Sequence, residues 1–79
     1  MTMTINKPNF KYAVCVDNDD YEASLELWKI YIVLPDEKGD EVGYLRIIDE
    51  SGEDYLYPAS YFVAIDPPQK VKELLLVAA

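Results

Sequence analysis

The stretch that most constrains this chain runs from Gly43 to Ile65. Two runs crowded with β-branched and aromatic residues, Gly43–Asp49 and Asp54–Ile65, flank the short polar segment Glu50-Ser51-Gly52-Glu53. Branched and aromatic side chains fit a pleated surface, and a glycine between them relieves a tight reversal, so the pattern predicts two strands joined by a hairpin. Pro58 has no N–H to donate to a ladder. The second strand should therefore end there, and the chain should turn before Val63-Ala64-Ile65 extends again. The expected fold is mainly β, a small barrel.

Seventy-nine residues make one domain, and a chain of this length buries only about 60% of the surface it exposes when unfolded. With 51% of residues apolar and 13% aromatic, it can still build a core without metal or disulfide. The formal charge of −8 repels phosphate backbones and anionic membranes, which argues against nucleic acid or membrane as a direct partner. It keeps the chain soluble and favours a basic partner face. Cys15 is the only cysteine, so no intrachain disulfide can form. The absence of histidine removes most zinc sites, the Ser/His and Cys/His modes of catalysis, and any simple histidine pH switch. No metal, cofactor or catalytic role is expected. Met1–Asn9 shows no charged segment followed by an apolar core, and no apolar run is long enough to span a membrane, so the expected location is cytoplasmic.

Taken in order, residues 1–9 are polar and proline-interrupted and are expected to form a flexible arm. Residues 10–66 are assigned to the barrel and 67–79 to a C-terminal amphipathic helix. Phe10–Val16 alternates as a first strand, with Tyr12, Val14 and Val16 on one face and Ala13 and Cys15 on the other. Cys15 is expected to be a small buried hydrophobe. Asp17-Asn18-Asp19-Asp20-Tyr21-Glu22 reads as an acidic loop. Its spacing fails the calcium-loop pattern, since Glu22 stands where a glycine is needed and Trp28 where a bidentate acid is needed. Ala23–Trp28 could start as a turn of helix, but the alternation of Leu25 and Leu27 about Glu26 favours an extended segment with both leucines inward; Trp28 is expected either in the core, which is favoured, or as the aromatic floor of a groove.

Lys29–Leu34 is a β-branched strand ended by Pro35, followed by a charged loop to Asp40. Gly43 is expected to supply an unusual dihedral on entry to the third strand. In that strand Leu45 and Ile47 share one face; in the fourth, Tyr55 and Tyr57 do. The acids Asp49/Glu50 and Glu53/Asp54, lying around the turn, are expected to face water. Asp66 as N-cap with Pro67 at the first helical position predicts the start of the last helix, in which Val71, Leu74, Leu75 and Ala78 recur at helical spacing.

Tyr57-Pro58-Ala59-Ser60-Tyr61-Phe62 resembles the end of the fourth strand in SH3 domains, where a proline and a tyrosine three residues later sit on a short 3₁₀ turn. Gly43-Tyr44 is similar in place to the glycine and tryptophan that begin the third strand there. With a long acidic loop after the first strand, the resemblance spans about two-thirds of the chain, from Tyr12 to Ile65. It implies a five-stranded SH3-like barrel with a short C-terminal α-helix. Asp49–Phe62 also resembles a family of short uncharacterised bacterial proteins, which implies a bacterial, intracellular origin.

In SH3 domains an aromatic groove takes proline-rich peptides, because a preformed polyproline II helix loses little entropy on docking. Carried over by position, Pro58 and Tyr61 match that groove and Tyr44 replaces its tryptophan. The paired tyrosines of the first strand are missing, and Tyr21 would substitute from another position. Asp17, Asp19, Asp20 and Glu22 stand where an acidic loop meets a basic residue of the ligand. The resemblance thus implies a protein- or peptide-interaction module whose partner is a basic or proline-containing segment. The same tyrosines equally suit a plainer task, capping a small core while their hydroxyls reach water. The apolar C-terminal helix leaves a second reading open: a homodimer, or a small subunit of a larger assembly.

Overall fold

The computed structural model describes residues 11–78, so the arm expected over residues 1–9 and the ends of the elements expected at Phe10 and Ala79 lie outside the described residues. Among the described residues five antiparallel strands form one sheet: β1 (Lys11–Cys15), β2 (Ile30–Leu34), β3 (Tyr44–Ile48), β4 (Asp54–Pro58) and β5 (Phe62–Ile65). Their spatial order is β4-β3-β2-β1-β5. The β3–β4 hairpin is where the composition predicts it, paired from Tyr44↔Pro58 to Ile48↔Asp54. Gly43 and Gly52 at its two ends take φ +81° and +85°, a region where a Cβ is strained.

The sheet is open where a closed barrel is expected, since β4 and β5 are its two edges and are not paired with each other. Pro58 withdraws a donor from β4 and Asp54 charges its start, both features of an edge strand. The 3₁₀ turn Ala59–Tyr61 then delivers the chain to the far side of β1, where Cys15 pairs with Phe62 and Ala13 with Ala64.

Strand parity sets the core. Ala13 and Cys15, Tyr31 and Val33, Ile47, Tyr57 and Phe62 form one buried cluster, with Leu45 packed against it. Leu25, from the long loop between β1 and β2, closes this face. The opposite face is not simply solvated. Tyr12 and Ile32, a cross-strand pair, are also buried, because α2 (Gln69–Ala78) lies there and sets the Lys72 ammonium 5.9 Å from the Tyr12 ring centre. Burial on two sides explains why β2 reads as an unbroken apolar run.

Three local expectations are corrected. The charged segment after Pro35 contains a short helix, α1 (Glu37–Glu41), because the Asp36 carboxylate accepts from the Gly39 N–H and caps it. Arg46 ties that cap to the hairpin, reaching Asp36 at 2.8 Å and Asp54 at 3.0 Å. Ala23–Trp28 is not extended: the Ser24 and Leu25 N–H groups both donate to the Tyr21 carbonyl, which coils the segment and buries Leu25 alone. The last helix begins two residues later than Pro67, since a residue preceding proline is kept out of the helical region and Pro67 precedes Pro68. The Pro68 carbonyl accepts the first intrahelical bond, from Lys72.

Candidate functional site

The loop between β1 and β2 is acidic as read, yet it is an ordered platform. Asn18 Nδ2 donates to the Leu25 carbonyl at 3.0 Å, the Glu50 N–H to the Ser24 carbonyl, and the Tyr21 N–H to the Asn18 carbonyl. Asp17 takes the Asp19 N–H on Oδ1 at 3.0 Å, the short-range bond that lets an aspartate shape a turn. Asp20 holds φ +72°, a conformation aspartate tolerates.

On this platform Tyr21, 37% exposed, meets two other rings edge-on. Its centroid is 5.0 Å from Tyr57 and 6.1 Å from Tyr61. The Tyr61 hydroxyl donates to the Asp19 carbonyl at 3.1 Å, and the Tyr61 carbonyl accepts from the Val16 and Asp17 N–H groups. Partial burial raises the Tyr61 phenol pKa, and the carboxylates of Asp17, Asp19 and Asp20 raise it further. Five of the seven residues read as a binding surface, Asp17, Asp19, Asp20, Tyr21 and Tyr61, are thus gathered in one place.

Tyr44 and Pro58 are gathered in another. They oppose each other at the end of the β3–β4 ladder, on the parity opposite to Tyr57. Tyr44 is exposed, and among the described residues no aromatic contact links it to Tyr21 or Tyr61.

The carboxylates expected to face water divide. Asp49 is buried, 7% exposed. It accepts from the Ser51 N–H at 2.8 Å, the Ser51 hydroxyl at 2.5 Å and the Tyr57 hydroxyl at 2.5 Å. Burial pushes its pKa up, but the Ser51 and Tyr57 donors outweigh burial and hold it below the usual carboxylate range. Glu50 is held low by Lys29, whose ammonium lies 2.9 and 2.6 Å from its two oxygens, and then by the Tyr31 hydroxyl, which donates to it. The Tyr31 hydroxyl also accepts the Glu26 N–H at 2.8 Å.

A half-open cleft of about 160 Å³ beside this group is floored by Ile30, Ile32, Ile48 and Leu75. Its polar rim of Lys29 and Glu50 is already mutually satisfied. Among the described residues no group of three or more Cys, Asp or Glu side chains is placed to hold a metal ion, and no helix is long and apolar enough to cross a membrane.

Of the two places expected for Trp28, the favoured one, the core, is corrected: the residue is 71% exposed at φ +67°. A left-handed residue is ordinarily announced by glycine or asparagine; nothing at this position does so. No family model, curated protein or solved structure matches this chain.

Proposed function

We propose that this chain is a non-catalytic protein-interaction module on an SH3-like strand arrangement. Tyr21 and Tyr61, rimmed by Asp17, Asp19 and Asp20, receive a basic or proline-containing protein segment; Tyr44 and Pro58, which pair on the opposite parity to Tyr57, stand apart from this surface. The observation that carries this reading is the seating of the exposed Tyr21 ring against Tyr61 amid three carboxylates. The strand order, with β1 between β2 and β5, and the 3₁₀ turn after Pro58 support the SH3-like arrangement. The low pKa of both Asp49 and Glu50 supports the non-catalytic part, since an acid–base pair needs two groups pushed apart. A cytoplasmic setting goes with this reading.

Titration with a labelled peptide of repeated proline and arginine tests the reading. Saturable binding that weakens in Tyr21→Ala and in the Asp19→Asn, Asp20→Asn double variant is expected; binding indifferent to these changes rejects the surface.

A second reading rests on α2, where Leu74 and Leu76 are 59% and 44% exposed. Short helices need a surface to dock on, and these leucines fit a second copy or a larger assembly. Sedimentation of the full chain decides it: a monomer at all accessible concentrations rules out the homodimer.

A further inference from the structure

Trp28 is the only tryptophan in the chain, and the fold goes against local preference to expose it. Its N–H donates to the Cys15 carbonyl at 2.7 Å, while the Cys15 N–H donates to the Lys29 carbonyl at 2.9 Å. Trp28 and Lys29 together oppose Cys15, which makes a bulge at the end of the β1–β2 ladder. The left-handed first position of such a bulge usually belongs to glycine. A chain that needed only the bulge would carry glycine there. This one carries its largest side chain, 71% exposed, with Leu27 beside it 41% exposed.

The segment leading to it carries charge of one sign. Asp17, Asp19, Asp20, Glu22 and Glu26 precede Trp28, and no lysine or arginine stands between Val16 and Trp28. Lys29 does not offset them, because its ammonium is engaged by Glu50.

We propose that Trp28, with Leu27, is the principal anchor of the interaction surface, and that it receives a cationic, apolar segment of a partner protein. An arginine of that segment stacks on the indole face while its apolar residues cover Leu27. Indole is the strongest aromatic acceptor for a cation, and tryptophan is among the residues most enriched where binding energy concentrates. This inference rests on the interaction-module reading and adds the anchor and the chemistry of the partner.

The test uses two synthetic twelve-residue peptides with identical leucines, one carrying arginine and the other glutamate at every charged position. Emission from Trp28 reports binding to the natural chain, and anisotropy of the labelled peptide reports it for variants. The arginine peptide should shift the emission and bind more weakly as salt rises; the glutamate peptide should not bind. Trp28→Gly should bind at least roughly tenfold more weakly while melting at or above the natural temperature, and Trp28→Asn should lose binding similarly. Undiminished binding by Trp28→Gly, equal binding of both peptides, or a Trp28→Gly variant that melts far lower each overturns the inference. If the proline-arginine peptide binds and the leucine-arginine peptide does not, the inference falls and the module reading stands. If neither binds, both fall.

Discussion

The Tyr57 hydroxyl donates to Asp49 Oδ2 at 2.5 Å, joining the end of β4 to the residue that opens the β3–β4 turn. A buried carboxylate is tolerated only when its oxygens are occupied; here Ser51 takes Oδ1 and Tyr57 takes Oδ2. The pair locks the hairpin from inside and holds Tyr57 where Tyr21 can rest on it.

Tyr57→Phe keeps the ring and removes this donor, leaving a buried charge short of one partner. We expect a loss of about 1.5–3 kcal/mol, read from urea unfolding. Tyr55→Phe, which breaks an exposed bond to Glu53, should leave the midpoint unchanged. Equal effects of the two would mean that the Asp49 bond is not special.

The same pair predicts a stability plateau in pH. Asp49 and Glu50 are held below their ordinary values of 3.8 and 4.5, so their contribution is complete above those values and is lost as pH falls through the lower folded ones. Burial, and then the bond to Asp49, push the Tyr57 pKa from 10.0 up to about 12, so that contribution is present below pH 10.0 and fades as pH rises toward about 12. Thermal melts from pH 2 to 12 should show both flanks, and Tyr57→Phe should flatten the alkaline one. An alkaline flank unchanged by that substitution would exclude this origin.

Gly39→Ala sets two effects against each other. Alanine is the better helix former by about 1 kcal/mol. Its Cβ, however, would stand 3.0 Å from Leu56 Cδ2, 3.2 Å from the Tyr44 carbonyl oxygen and 3.3 Å from Asp36 Cγ. A strand carbonyl and a carboxylate held by Arg46 yield poorly, and overpacking costs about 1–3 kcal/mol. Net destabilisation of about 1 kcal/mol is expected in denaturant melts; a stabilised variant would show that Leu56 and the helix simply move aside.

Leu25→Ala tests whether the acidic loop is part of the core. Leu25 is fully buried beside Cys15, so a loss of about 2–5 kcal/mol is expected. Burial also raises the Cys15 thiol pKa and keeps it inert. A maleimide should label the variant much faster than the natural chain; unchanged labelling would show that the loop closes the core without this leucine.

The hairpin was legible because its signals are local: period-two alternation, a glycine that alone takes φ +85° cheaply at Gly52, and a proline that cannot donate. Burial of Cys15 and the helix after Pro68 were legible for the same reason. The short helix at Glu37 was not: its Asp36 cap is local, but Pro35 before it and Gly39 within it are loop signals, and Arg46 secures the cap from ten residues away.

What the sequence by itself determined is therefore the strand runs, their turns and the concentration of negative charge after β1, each a matter of neighbours along the chain. Only the tertiary structure decided that Asp49 is buried, that Leu25 is inside and Leu27 outside, and that Trp28 stands in solvent. The first and last of these depend on a partner from another strand, Tyr57 for the carboxylate and Cys15 for the bulge, and the order of residues along a chain carries no record of which groups the fold will bring together.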